Sequence, residues 1–250
     1  MTSHVPTGLT PIILYLVTED WYFLSHRLPM ATAAQQAGYQ VHVATNVNKY
    51  AARIEAAGFR LHPLLWRRGS INPLRLFRVV RDVRDLYRRL SPDLVHHVAL
   101  QPAIVGMLAA RGLPIAQLNA LAGLGSTYTS NSFKARILRP ALKFVLSYLF
   151  RRPQVAVLVQ NLDDWNEMQS VGVSADRLFL IPGSGVDVNL LTPLPEPPGL
   201  VTIAFVGRLL EDKGLRVLIA AHDLLVARGR QIRLRPFLVP APGHGFNLLD

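Results

Sequence analysis

The strongest constraint on the fold is an alternation of apolar runs with amphipathic stretches, several of which end at glycine. The first run, 11–18 (PIILYLVT), shows no polar alternation, which is typical of a strand buried on both faces. Further runs predict strands at 39–46, 59–65, 93–99, 113–120, 154–161 and 176–182. Between them, apolar residues recur at helical spacing, most clearly over 72–90. The alternation predicts an α/β fold, a doubly wound parallel sheet with its site at the carboxyl ends of the strands.

Three helices have details that the residue types predict. After the first strand, we expect a loop and then a helix that ends at Gly38. The helix 163–172 is expected to begin with Asp163 as its cap, and the basic helix 133–152 to bend or break at Pro140.

A proline-rich stretch divides the chain. Residues 191–199 (LTPLPEPPG) contain four prolines in nine positions, which predicts a linker. Residues 1–190 would then form an N-terminal Rossmann-like domain and 200–250 the start of a second one. One strand–helix–strand unit of about 50 residues cannot bury both faces of a sheet, so we expect the second domain to be incomplete.

Composition narrows the function classes. The net charge of +11 implies an anionic partner, such as nucleic acid, a phosphorylated substrate or lipid headgroups. The absence of cysteine excludes disulfides, zinc–cysteine sites and thiol catalysis. The N-terminus lacks a basic leader region, and the apolar run 11–17 is too short for a signal peptide or a membrane span. These features predict a cytoplasmic protein.

Two predicted helices, 72–90 and 133–152, are rich in lysine and arginine. Each cation near an anionic leaflet contributes roughly 1 kcal/mol to membrane binding. The two helices therefore predict a patch for peripheral membrane attachment. The alternative is a solvated basic face. Nucleic acid is not predicted, since the chain has no recognition-helix or stacking-aromatic motif.

The stretch Ala204–Gly214 (AFVGRLLEDKG) combines a strand end, a glycine turn at Gly207, the cations Arg208 and Lys213, and a following helix pattern. Backbone N–H groups at a helix start favour anions, and the two cations neutralise them. The stretch therefore predicts a diphosphate site. The alternative is a surface turn with two solvated cations.

Five blocks, in this order, carry a family resemblance: 19–31, 93–106, 119–129, 177–189 and 205–214. They resemble the family-4 retaining glycosyltransferases of the GT-B fold, and within them the enzymes that extend bacterial capsule, O-antigen or polyprenyl-diphosphate-linked sugars. The resemblance covers about residues 11–235. It implies two Rossmann-like domains across a cleft, the first for the acceptor and the second for a nucleotide-sugar donor.

The resemblance also implies a reaction. A hexose or N-acetylhexosamine moves from a nucleotide sugar, expected to be UDP-linked, to a lipid-linked or surface-polysaccharide acceptor, with retention and without a protein nucleophile. Arg208 and Lys213 match the residues that hold the donor diphosphate, where fixed cations stabilise the charge that develops on the leaving group. No cofactor or metal is implied.

On the acceptor side, several residues are candidates. Glu19 and Asp20 could accept the proton of the attacking hydroxyl, or could belong to a polar loop with a helix cap. Of the adjacent pair His96 and His97, only one can face the cleft, and His97 would either contact the acceptor or be structural. No ligand partner supports a metal site at these histidines.

Other candidates follow from position in the blocks. His26 and Arg27 could meet an anionic acceptor phosphate or form a solvated helix turn. Asn119 stands where some relatives have a histidine, and Gly123 and Gly125 would let the acceptor loop approach the cleft. The loop with Gly183, Gly185 and Asp187 resembles the family's interdomain hinge and does not fit a dinucleotide fingerprint.

The chain departs from the family in two respects. The pair of glutamates seven residues apart that contacts donor sugar and ribose does not occur after Lys213, and the family pattern is lost after Leu234. The first loop has TEDWYFLS in place of paired glycines. A truncated or frame-shifted gene would produce the first departure. Two alternatives therefore stay open: an inactive remnant that binds acceptor or membrane, and a sugar-nucleotide epimerase, whose acid and base carboxylates have no evident positions here.

Overall fold

The computed structural model describes residues 10–66, 72–121, 143–183, 185–186, 188–189, 191–207 and 213–238. It divides into two compact units, Met1–Val186 and Asp187–Asp250. Several predicted site residues lie outside the described residues: Gly123, Gly125, Asp187 and Arg208.

The first unit is built on a seven-stranded, all-parallel sheet with the strand order β3-β2-β1-β4-β5-β6-β7. The strands are β1 Ile12–Glu19, β2 Gln40–Asn46, β3 Arg60–Pro63, β4 Leu94–Val98, β5 Ala116–Leu121, β6 Val155–Val159 and β7 Leu178–Leu180. This order confirms the predicted doubly wound α/β class. It also fixes a topological switch point between β1 and β4, where ligands bind in such folds.

Helices cover the sheet from both sides. They are α1 Asp20–His26, α2 Leu28–Gln36, α3 Ala51–Ala56, α4 Pro73–Leu90, α5 Leu100–Ala109, α6 at 143–150 and α7 Leu162–Val171, with a short 3-10 helix, Ala175–Arg177, before β7. Helices α1 to α3 supply Phe23, Ala31 and Ile54 to the core on one face. Helices α4 and α5 pack on the other face of β1, β2 and β4, and α5 to α7 pack on the same face of β5 to β7.

Helix α4 forms as its sequence predicts. The Asn72 side chain accepts hydrogen bonds from the backbone N–H groups of Leu74 and Arg75, and Pro73 occupies the first turn, where a missing N–H does no harm. The apolar side of the helix buries Val83 and Tyr87. The arginines of α4 therefore face away from the core for the most part.

Two local expectations were wrong. No loop separates β1 from α1, since the strand ends at Glu19 and the helix begins at Asp20. The helix is interrupted at Arg27, because Pro29 has no N–H with which to continue the α1 ladder. Helix α7 is capped by Asn161 instead of Asp163, and the Asn161 side chain accepts from the N–H of Asp164.

The second unit contains a parallel pair of strands, β8 Val201–Gly207 and β9 Ile232–Leu238, joined through helix α8, Leu215–Ala227. This confirms the predicted strand–helix–strand order. None of its described residues is buried, and Val206 and Val217 are 72% and 74% exposed. Two strands and one helix are too few to cover their own apolar faces.

Three histidines are buried within the first unit: His42 on β2, and His96 and His97 on β4. Burial is the main cause that lowers their pKa values, to about 4 for His42, about 3 for His96 and about 4 for His97. The cations and histidines beside His42 and His96 act in the same direction. The folded state therefore keeps these rings neutral in mildly acidic solution.

We expect the free energy of unfolding to fall as the pH decreases from about 6.5 to about 4. In that window the unfolded chain, with ordinary histidine pKa values near 6.5, binds protons that the folded chain does not. Each buried histidine steepens the fall by up to about 1.4 kcal/mol per pH unit. Urea unfolding at several pH values measures the slope. Most carboxylates stay ionised above about pH 5, so a flat stability between about pH 7 and 5 would contradict the expectation.

Candidate functional site

A groove of about 530 Å³ lies at the carboxyl end of the sheet in the first unit. Its walls come from the segment after β2, the connection between β3 and α4, the outer part of α4 and the start of α5. The polar side chains that line it are Asn46, Asn48, Arg75, Arg78, Asp82 and Gln101. The groove therefore occupies the edge at which doubly wound folds bind ligands, with cations and amides available to hold a polar, anionic group.

Sequence reasoning missed most of this lining. Asn46, Asn48 and Gln101 belong to no spaced motif, yet Asn46 ends β2, and Asn48 and Gln101 closely follow the ends of β2 and β4. A search for amides at the end of each predicted strand and in the three residues after it would have found them. Arg75 and Arg78 were noticed as charges of a basic helix and not as residues of a groove.

Glu19 ends β1 and is joined to the groove. Its carboxylate accepts a hydrogen bond of 3.0 Å from the side-chain amide of Asn48, and the residue is partly exposed. An exposed carboxylate with one amide partner keeps lone pairs free for a substrate hydroxyl. Its role as a base stays a prediction, which this position supports.

Asp20 is fully buried and has a different environment. One carboxylate oxygen accepts from the N–H of Trp21 at 2.7 Å. The other accepts from the N–H groups of Asn48, Lys49 and Tyr50 at 2.7, 3.0 and 3.0 Å. Burial alone would raise the pKa of Asp20, but these N–H groups together lower it. The contacts favour the alternative interpretation, a carboxylate that orders the loop before α3, over a base.

His97 and Asn119 meet in the interior and not at the groove. The ring Nδ1 of His97 lies 2.7 Å from the side-chain oxygen Oδ1 of Asn119. Because this oxygen can only accept a hydrogen bond, Nδ1 carries the proton. The other ring nitrogen lies 2.8 Å from the Tyr87 hydroxyl and accepts from it. A Cβ on Gly106 would lie 2.1 Å from that nitrogen, so α5 can pack there only with glycine. These contacts favour the structural interpretation of both residues.

His26 and Arg27 are neighbours in sequence but point apart. The His26 ring stacks on Tyr22 at 4.1 Å and its Nδ1 lies 2.6 Å from the Ser25 hydroxyl, on the outer side of α1. Arg27 turns inward and is only 3% exposed. A contact between both residues and one acceptor phosphate is therefore not supported by this geometry.

Backbone strain marks the end of β4. Ala99 has φ +78° and ψ 165°, a conformation that glycine adopts readily and other residues avoid. Its N–H nevertheless donates to the carbonyl of Ala120 at 2.9 Å, so the conformation is held by the sheet. The outlier lies at the switch point, the edge that the groove also occupies.

The predicted diphosphate turn is described in part. Gly207 ends β8, and Gly214, with φ +72°, immediately precedes α8 beside Lys213. A strand end and a helix start therefore flank the segment that carries Arg208, and that segment itself lies outside the described residues. Gly183 and Gly185 both have positive φ, at +69° and +67°, which suits the predicted hinge loop. The roles of all these residues stay predictions.

Two general properties bear on partners. Within the described ranges, no helix combines the length and apolar character needed to cross a bilayer. The same ranges bring together no group of three His, Cys, Asp or Glu side chains that could hold a metal ion.

The fold is that of a Rossmann-like α/β protein, and the groove at the carboxyl edge of its sheet is a candidate ligand site. The sequence of residues 12–156 matches the family model described as glycosyl transferase 4-like. Because this match covers more than half of the chain, the protein belongs to the glycosyl transferase 4-like family. No curated protein matched the sequence significantly.

Solved structures show the same fold at low identity. Sucrose-phosphate synthase (tll1590) from Thermosynechococcus elongatus is similar with a TM-score of 0.67 and 17% identity, over 94% of this chain and 64% of that one. Alr3699/HepE from Anabaena, in complex with UDP and glucose, is similar with a TM-score of 0.56 and 13% identity, over 90% of this chain and 69% of that one. A putative UDP-N-acetylglucosamine 2-epimerase from Listeria monocytogenes is similar with a TM-score of 0.59 and 11% identity, over 94% of this chain and 64% of that one. The fold is that of GT-B enzymes, and the chain spans less than two thirds of the first and third of these proteins.

The two adjacent carboxylates should respond differently to loss of charge. We expect Asp20→Asn to lower the free energy of unfolding by about 1–3 kcal/mol, because an amide cannot accept all four N–H bonds. Glu19→Gln should change it by less than about 0.5 kcal/mol, since this side chain is partly exposed. Urea unfolding of both variants measures the difference. Equal stability of the two variants would contradict the assignment of Asp20 as the loop-ordering carboxylate.

Proposed function

We propose that this protein transfers a hexose or N-acetylhexosamine from a UDP-sugar to a polyprenyl-diphosphate-linked or surface-polysaccharide acceptor, with retention. The observation that carries the proposal is the family match over 12–156, the part of the chain that contains the groove. The UDP and glucose named for the Anabaena structure of the same fold suit the choice of donor.

In the proposed reaction, the groove of the first unit binds the acceptor. Its cations, Arg75 and Arg78, suit a phosphorylated acceptor, and Glu19 lies beside the groove through Asn48. The acceptor oxygen bonds to the anomeric carbon as the bond from that carbon to the UDP oxygen breaks on the same face. The hydroxyl proton passes to Glu19, and UDP leaves with the bonding electron pair.

The second unit is proposed to bind the donor. Arg208 and Lys213 would neutralise the UDP diphosphate, whose negative charge increases as the glycosidic bond breaks. The N-terminus of α8, next to Gly214, adds partial positive charge. Since these two cations are proposed to stabilise the leaving group, the mechanism invokes no metal or cofactor.

Attachment to the cytoplasmic face of a membrane is part of the proposal. On α4, the apolar side chains Leu74 and Phe77 are 76% and 70% exposed and lie among the arginines. On α6, Phe144 and Tyr148 are 75% and 51% exposed. Exposed apolar residues beside cations are typical of surfaces that enter the headgroup region of anionic bilayers.

A second candidate function is epimerisation of a sugar nucleotide. It is favoured by the similarity of the fold to a putative UDP-N-acetylglucosamine 2-epimerase. An epimerase would convert the UDP-sugar without any acceptor. A protein that only binds acceptor or membrane would neither transfer nor epimerise the sugar.

Replacing either donor cation should impair transfer. We expect Arg208→Ala and Lys213→Ala each to lower kcat/KM by about 10²–10³-fold, the usual effect of removing one preorganised group that stabilises developing charge. The full chain is incubated with membranes and radiolabelled UDP-sugars, and label in the lipid fraction is counted.

The matched control is Arg230→Ala, which removes an exposed cation from the same unit. It should leave transfer unchanged. Unimpaired transfer by the two donor-site variants would contradict the assignment of the diphosphate site. A new soluble UDP-sugar epimer in the absence of membranes would favour the epimerase, and no product with any UDP-sugar would favour the binding protein.

The basic, apolar surface of α4 should bind anionic bilayers. We expect vesicles containing phosphatidylglycerol to sediment the protein, and the triple variant Arg75→Gln, Arg78→Gln, Arg81→Gln to bind on the order of a hundredfold more weakly. Added salt should weaken wild-type binding in the same way, because the attraction is screened.

Removal of three exposed arginines from the second unit is the control: Arg228, Arg230 and Arg233, each to Gln. It lowers the net charge equally. Equal losses in the two triple variants would show a general charge effect and would contradict a surface located on α4.

A further inference from the structure

Three buried polar side chains lie together on the α1–α2 face of the sheet. Tyr15 on β1 and His96 on β4 are fully buried and paired in register, with their rings stacked at 5.0 Å and 26°. Arg27, between α1 and α2, is 3% exposed, and its charge acts on the pKa values of both neighbours. The three side chains therefore form one cluster, beneath the helices that cover the switch point.

The cluster has hydrogen-bonding atoms without partners. Among the described residues, none bonds to the Tyr15 hydroxyl, to Arg27 Nε or to either ring nitrogen of His96. Buried polar atoms are nearly always paired, and each one left unpaired costs about 1–3 kcal/mol. Four such atoms in one place point to a ligand that would pair with them.

The charge of Arg27 is also without compensation. Its favourable charge interactions are with the hydroxyl groups of Tyr22 and Tyr15, and no carboxylate of the described chain pairs with it. A guanidinium keeps its proton even when burial lowers its pKa. A buried cation without an anion strongly destabilises the folded state. A negative ligand would therefore stabilise the folded state here more than a water molecule would.

The chemistry of the atoms selects the ligand. The guanidinium N–H, the tyrosine O–H and the ring N–H of a neutral histidine are donors, and they call for a ligand with several acceptor oxygens. Helix α2, nine residues long, begins at Leu28 directly after Arg27, and its N-terminus favours negative charge. A phosphate group meets both requirements and pairs well with guanidinium.

We propose that Tyr15, Arg27 and His96 form a buried site for a phosphate group, supplied either by free phosphate or by the diphosphate of a prenyl-linked acceptor. The second source rests on the proposed function, and the first does not. The site is distinct from the groove, since none of the three residues lines it. Exchange of the anion requires a local opening of α1, which is only seven residues long.

The experiment measures thermal unfolding of the full chain in phosphate and in chloride of equal ionic strength. Saturating phosphate, about tenfold above its Kd, should raise the wild-type Tm by about 3–5 °C, because a ligand of the folded state stabilises it. Arg27→Met should show no rise, and Tyr15→Phe, which removes only the hydroxyl, a smaller rise than wild type. Arg53→Met, which removes an exposed cation from α3, should respond as wild type does.

Isothermal titration with inorganic phosphate and with geranyl diphosphate distinguishes the two sources. Binding of phosphate that Arg27→Met abolishes supports the free anion, and binding of geranyl diphosphate alone supports the acceptor. An equal response in phosphate and chloride, or binding that Arg27→Met and Tyr15→Phe leave unchanged, overturns the proposal. Because no arm measures transfer, a protein that binds phosphate here but transfers no sugar would refute the proposed function alone.

Discussion

The pairing of β1 with β4 is the contact on which the rest of the first unit depends. Chain order reverses there, so β2 and β3 extend the sheet one way and β5 to β7 the other. The pairing sets Tyr15 opposite His96 and Leu16 opposite His97. It also brings the end of β1, with Glu19, to the edge at which Ala99 starts α5. The positions of Tyr15, His96 and His97 follow from this register, because a shift by one residue would exchange the two faces of β4.

The two faces of β4 give their histidines opposite hydrogen-bonding environments. His97 is fully paired: Asn119 fixes its tautomer, Tyr87 donates to it, and Gly106 leaves room for its ring. Such a network ties β4 to β5, α4 and α5, and it stabilises one packing arrangement because each member has its partner. His96 is equally buried, and neither of its ring nitrogens has a partner among the described residues. Since the same strand carries both residues, the contrast lies in the partners that each face supplies and not in a general tolerance of polar groups.

The sequence predicted the sheet well because its signals are local. An uninterrupted apolar run of strand length, followed by a helical pattern that ends at glycine, is typical of one βα unit, and the chain repeats it. The strand order depends on tertiary contacts and has no local signal. The break at Arg27 has a local cause, Pro29, which the sequence shows. The cap of α7 was misassigned because Asp163 and Asn161 are both good capping residues. Only the path of the backbone decides between them.

The candidate site was less predictable, for a reason that Glu19 and Asp20 illustrate. Both are carboxylates directly after a predicted strand, so residue type and position made them equally good candidates for the base. In the fold, Asp20 is surrounded by N–H groups of the loop before α3 and Glu19 by one amide and open space. Four backbone donors fix an ionised carboxylate in place, whereas a base must exchange its proton and keep an oxygen free. Three of these four donors come from residues 48–50, almost thirty positions away, and no local pattern around Asp20 contains those three. The division of roles between the two carboxylates is therefore a property of the folded chain.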